Sequence, residues 1–123
     1  MADKDLLVIK KSMDLVEHTM RLTSNSNRYP KKYRFSLVDK LANKSMNIYE
    51  YLLEANRTSL EYMKRERLEL ITKAIVFCDE LLFYIELSSK LNIINQKSME
   101  YWSKMVKDVK YMSIKWRTTD RNR

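Results

Sequence analysis

The sequence predicts an all-α protein, an antiparallel up-down four-helix bundle, and three observations predict it. The chain of 123 residues has no glycine and one proline. Two-residue hairpin turns usually need Gly or Asn at positive φ, so an all-β fold is disfavoured. Leu, Lys, Glu, Met and Ile dominate, which suits helices. Apolar residues recur at spacings of three and four in four segments, separated by short polar runs. The length fits one domain spanning 1–123, with a polar tail at 118–123 that is expected to fray.

Each helix has its own signal. In the first, Leu6, Ile9, Met13, Val16 and Met20 form an apolar stripe, and the run Thr23-Ser24-Asn25-Ser26-Asn27 ends it. The second begins near Pro30, whose fixed φ suits a first turn. Val38, Leu41, Ser45, Ile48, Leu52 and Ala55 make one seam there, and Phe35, Ala42, Met46, Tyr49 and Leu53 a second. Asn56-Arg57-Thr58-Ser59 breaks or bends the chain. The third is the most apolar: Leu68, Ile71, Ile75, Cys78, Leu82 and Ile85 give one seam, and Leu70, Ala74, Phe77, Leu81, Tyr84 and Leu91 another. After Asn92-Ile93-Ile94-Asn95 comes the fourth, with Met99, Trp102, Val106, Val109 and Trp116 facing inward. Its 3.5-residue period matches left-handed bundle packing. Doubled seams on two helices suggest another apolar partner, most simply copies of the same chain.

Charge is the strongest functional signal. The net charge is +8 with a sequence pI near 9.6. By segment the net is +1 over 1–30, +4 over 31–67, −2 over 68–94 and +5 over 95–123. Three clusters follow: Lys31, Lys32 and Arg34 after Pro30; Lys64, Arg65 and Arg67 at the start of the third helix; and Lys104, Lys107, Lys110 and Lys115, with Lys97, on the outer face of the fourth. A helix N-terminus disfavours cations by about 0.3–1 kcal/mol each. Cations placed there make sense beside a polyanionic partner, so these ten clustered residues (Lys97 aside) are the expected nucleic-acid-binding set. Tyr29 and Tyr33 flank the first cluster and are read as packing residues.

Other chemistry is missing. Without glycine there is no Walker loop and no dinucleotide fingerprint. One Cys and one His cannot make a usual zinc site, and His18 has no nucleophile partner. No metal, cofactor or enzymatic activity is expected. Cys78, in an apolar run, reads as a buried thiol of a reducing cytoplasm. No uncharged apolar stretch is long enough to span a membrane, and the N-terminus is too charged for a signal peptide.

Two stretches, RYPKKYRFSLVDKLANKSMNIYEYLLEA and RERLELITKAIVFCDELLFYIELSSKLNIINQKSMEYWSKMVKDV, carry a family resemblance. The chain resembles the accessory variability determinant of diversity-generating retroelements, and the related four-helix-bundle proteins encoded in 23S rRNA intervening sequences. The Tyr-Pro-Lys-Lys-Tyr-Arg-Phe-Ser-Leu stretch is its most characteristic part. The resemblance implies a homopentameric barrel of bundles. In the retroelement branch it also implies a non-catalytic accessory protein that binds template RNA or cDNA and a reverse transcriptase. In the intervening-sequence branch it implies a structural oligomer with no specific nucleic-acid role. Arg34 and Phe35 match the Arg-Phe of the pattern. The resemblance assigns Arg34 to RNA or partner contact, or to an inter-subunit salt bridge, and Phe35 to packing.

Overall fold

The computed structural model describes residues 2–123, with side chains from Leu7 onward. Four helices make up the described chain: α1 Ala2–Thr23, α2 Asp39–Asn56, α3 Lys64–Lys90 and α4 Gln96–Arg121. Successive helices run antiparallel. α2 packs on α3, α3 on α4, and α1 closes the ring against α2 and α4. The fold is the four-helix bundle the sequence predicts.

The seams on α2, α3 and α4 bury as their spacing dictates. Leu41, Ile48, Leu52 and Ala55 meet Ile71, Ile75, Cys78 and Ile85, with Trp102, Val106, Val109 and Trp116 alongside. Burying each large aliphatic side chain contributes about 1.5–3 kcal/mol relative to leaving it in water.

α1 differs from its predicted stripe, of which Leu6 lies outside the described side chains. The buried residues are Val8, Ile9, Ser12, Leu15, Thr19 and Thr23, whereas Met13 and Met20 are exposed. The stripe is turned by about one residue. Hydrogen bonding is the reason: each inward hydroxyl is satisfied locally or across the core. Ser12 Oγ donates to Ile9 O (2.6 Å) and Thr23 Oγ1 donates to Thr19 O (2.9 Å). Thr19 Oγ1 accepts from Trp102 Nε1 across the core (3.1 Å). Satisfied in this way, Ser and Thr bury at little cost.

The approach to α2 is irregular. Pro30 (φ −58°, ψ 149°) precedes a 3₁₀ turn at Lys31–Tyr33. A π turn then covers Arg34–Val38, closed by the Asp39 N–H donating to Arg34 O. Leu37 turns inward, but Phe35 is 80% exposed. The packing role expected for Phe35 is therefore not fulfilled within the chain. Tyr29, by contrast, is buried and donates from its phenol to Ser88 Oγ (2.8 Å), pinning the loop to the end of α3.

The second seams serve two ends. Ala74 and Leu81 are core residues, and Tyr49, Leu70, Phe77 and Tyr84 pack against the core from its margin. Tyr51 and Phe77 rings lie 5.5 Å apart. Much of the extra apolar face thus widens the bundle's own core. Leu91 of the predicted seam is exposed (42%), and Val76 (46%) and Phe83 (57%), seven residues apart on α3 and outside both predicted seams, are bare as well.

The α3–α4 connection shows how a chain without glycine turns. Asn92 takes φ 62°. Ile93 N–H donates to Ser88 O (2.9 Å) and Asn92 N–H to Ser89 O (3.0 Å), a Schellman cap in which Asn replaces Gly. Asn95 then caps α4, its Oδ1 accepting from Ser98 N–H (2.7 Å).

α4 runs to Arg121, into the tail expected to fray. Asp120, 1% exposed, holds it in place.

Candidate nucleic-acid interface

The three cationic clusters meet different fates. Arg67 is not a surface ligand. Its Nε lies 2.7 Å from Asp120 Oδ2, and their side chains are 8% and 1% exposed. Its Nη1 donates to Thr58 O (3.0 Å) and Ala55 O (3.3 Å), and its guanidinium lies 5.2 Å from the Trp116 ring. Arg67 therefore joins the end of α2 to the end of α4, and its expected role in nucleic-acid binding is corrected to a structural one. Lys64 donates to Arg121 O (2.8 Å) and also serves that junction. Arg65 stays exposed, with Glu66 at 3.7 Å.

On α4, Lys110 also departs from expectation. It leans toward α3 and meets Asp79 at 2.7 Å, and that hydrogen bond raises its pKa. At 100° per residue Lys110 lies well round the helix from Lys104. Lys104, Lys107 and Lys115 are exposed, as is Lys97. Lys104 makes only an exposed pair with Asp108 (3.3 Å), worth no more than about 0.5 kcal/mol.

The outer face holds more than cations. Positions 97, 101, 104, 108, 111 and 115 fall within about 80° of arc. Read along the helix they are Lys, Tyr, Lys, Asp, Tyr and Lys, and both Tyr101 and Tyr111 are exposed. The stripe runs roughly 27 Å along the axis at 1.5 Å per residue. Sequence reading found its lysines but not its tyrosines. Their spacing of three and four from the lysines was the available signal.

The cluster after Pro30 is wholly exposed: Lys31, Lys32 and Arg34 all face water. Lys32 Nζ lies 5.2 Å from the Tyr33 ring. No carboxylate occurs between residues 18 and 38, while Arg21, Arg28, Lys31, Lys32 and Arg34 all fall there. Among the described residues none of Lys31, Lys32 and Arg34 is ion-paired. Among the described residues no cluster of three His, Cys, Asp or Glu could hold a metal. Among them too, no helix is long and apolar enough to cross a membrane.

No protein-family model matches this chain, and neither does a curated protein. A solved structure does: a crystal structure of a protein of unknown function from the S23 ribosomal protein family, from Bacteroides thetaiotaomicron. It superposes with a TM-score of 0.82 over 94% of this chain and 98% of that chain, at 15% identity. The two share the four-helix-bundle fold over nearly their whole lengths.

Proposed function

We propose that this protein is a non-catalytic, self-associating accessory factor that binds nucleic acid through the outer face of α4 and the cationic approach to α2. The observation that carries the reading is the exposed stripe of Lys97, Tyr101, Lys104, Tyr111 and Lys115, with Asp108 its one acid and exposed Lys107 on its flank. Cations along a helix neutralise phosphates, and the aromatics between them offer flat apolar surface to bases. Lys31, Lys32 and Arg34, without an ion pair among the described residues, add a second contact region, and Arg65 a lesser one. The net charge of +8, with basic residues on α2 and α4, favours the retroelement branch of the resemblance, with a reverse transcriptase as protein partner and template RNA or cDNA as the nucleic acid. A reducing cytoplasm suits the single buried thiol of Cys78.

Self-association is supported by the bare Val76 and Phe83 on α3 and by Phe35 on the π turn. A homopentamer is the assembly the resemblance implies. Repetition by symmetry would multiply the phosphate contacts of each stripe. The second reading, a structural oligomer without a nucleic-acid role, draws on the S23-family fold and on the same apolar surfaces.

The test is binding of the purified chain to structured RNA over a salt series. Tight binding that weakens steeply with salt is expected. The triple substitution Lys104→Gln, Lys107→Gln and Lys115→Gln should reduce the log–log salt slope by up to about 2–3. A wild-type chain that binds no RNA at low salt would leave the structural-oligomer reading in possession.

A further inference from the structure

At the top of the α4 stripe, where it meets the end of α1, the surface sinks into a cavity of about 340 Å³. Its walls carry Arg28, Lys97, Tyr101, His18, Ser98 and Leu22. The two cations come from different segments, Arg28 from the loop after α1 and Lys97 from the first turn of α4. No carboxylate lines it. Glu100, the nearest acid on α4, is turned to another flank, where Gln96 Nε2 donates to it (2.9 Å). Neither Arg28 nor Lys97 has an ion-pair partner among the described residues.

Tyr101 gives the cavity an aromatic wall. Its ring is held edge-on by His18, with centroids 5.3 Å apart, and His18 is braced in turn against Trp102 at 6.0 Å. Held on that side, Tyr101 is still 61% exposed. Burial lowers the pKa of His18, so at neutral pH it adds no charge and can pair with a base edge. Ser98 contributes a hydroxyl that can donate or accept.

The chemistry of these walls is that of one nucleotide unit: two cations for a phosphate, an aromatic ring for the face of a base, and neutral polar groups for its edge. A base paired within a duplex is stacked on both faces and cannot enter such a recess. We infer that this cavity accepts an unpaired nucleotide, and that the α4 interface therefore prefers single-stranded over double-stranded nucleic acid. This rests on the reading of α4 as a nucleic-acid surface and adds the class of strand it takes.

The probes are a 20-nucleotide oligo(U), an oligo(dT) of equal length and a 20-base-pair RNA duplex, each titrated into the full chain at one salt concentration. Wild type is expected to bind both single strands more tightly than the duplex. Tyr101→Ala should weaken the single strands by about tenfold, the scale of one lost base–aromatic stack, and leave the duplex unchanged. Tyr101→Trp should retain wild-type affinity, which separates stacking from a loss of fold. Comparable loss for oligo(U) and oligo(dT) makes the pocket blind to both the 2′-hydroxyl and the thymine methyl group, and a loss confined to one keeps the pocket and shows that it reads one of those two groups. Tyr101→Ala affecting neither strand class, or both equally, would overturn the pocket. If the lysine triple variant still weakened all three probes, the α4 reading would survive that failure. A wild-type chain that bound none of the three would overturn both.

Discussion

Arg67 and Asp120 are 53 residues apart in sequence, yet Arg67 Nε donates to Asp120 Oδ2 at 2.7 Å inside the bundle. The pair closes the end of the molecule where α2 stops, α3 starts and α4 finishes. Removing one partner leaves a buried charge uncompensated, which costs about 3–5 kcal/mol. Asp120→Asn and Arg67→Met should each lower the unfolding free energy by that scale, read from urea titrations. The double change Arg67→Met with Asp120→Leu should recover a large part of it. A single variant with wild-type stability would show the pair to be incidental.

A second buried contact is smaller in reach. Trp102 Nε1 donates to Thr19 Oγ1, and both residues are fully buried. Thr19→Val keeps the shape but orphans the indole N–H, at about 1–3 kcal/mol. Circular dichroism during thermal unfolding would register the loss. If Val proved neutral at this position, the hydroxyl would not be what draws Thr19 inward.

Stability should be greatest over a bounded range of pH. Burial lowers the pKa of His18 below 6.5. The unfolded chain therefore takes up that proton first, and stability present above pH 6.5 declines as acid nears the folded value. Burial raises the Cys78 thiol from 9.0 to about 12 and the Tyr29 phenol from 10.0 to about 12. There the unfolded chain releases protons first, so stability present below pH 9 is lost as pH climbs toward 12. Urea midpoints across this range should form a plateau with two falling limbs. His18→Gln should flatten the acid limb; a limb left unchanged would assign it to another group.

Cys78 gives a kinetic readout of the same core. Its thiol is buried and mostly protonated at pH 8. Only the thiolate reacts with disulfide reagents, so labelling should wait on opening of the bundle. Modification is expected to be slow in buffer and to accelerate as urea approaches the unfolding midpoint. Immediate stoichiometric labelling in buffer would contradict the burial of this side of α3.

Self-association is checked by mass. Light scattering should give a multiple of 14.9 kDa, with five copies the expected number. Val76→Lys with Phe83→Lys should shift the mass toward one copy while helicity is kept. A wild-type monomer at tens of micromolar would remove the oligomeric part of the proposal.

The periodicity of the sequence made α2, α3 and α4 legible, because Leu41, Ile48, Ile71, Ile85, Trp102 and Val109 repeat where a bundle must bury them. It misplaced α1, where Met13 and Met20 looked more apolar than Ser12 and Thr19. Hydroxyls satisfied by their own helix, or by Trp102, reversed that order. The α4 lysines were readable because an amphipathic helix displays its charge opposite its seam. Arg67 was not, since its partner lies a whole helix pair away and nothing local distinguishes a buried arginine from Arg65 two positions earlier. The recess beside Tyr101 joins the loop at Arg28 to α4, a juxtaposition that only the folded chain creates.

The π turn at Arg34–Val38 amounts, in chain length, to one surplus residue. Each residue advances a helix by about 100°. The bearing of Lys31, Lys32 and Arg34 around the bundle is thus decoupled from the seam that begins at Leu37. Deleting a single residue near Ser36 would swing that cationic collar through roughly a quarter of a revolution and leave every side chain from Leu41 onward where it is. An insertion or deletion of one residue at this place could therefore re-aim the surface among related chains without repacking their cores.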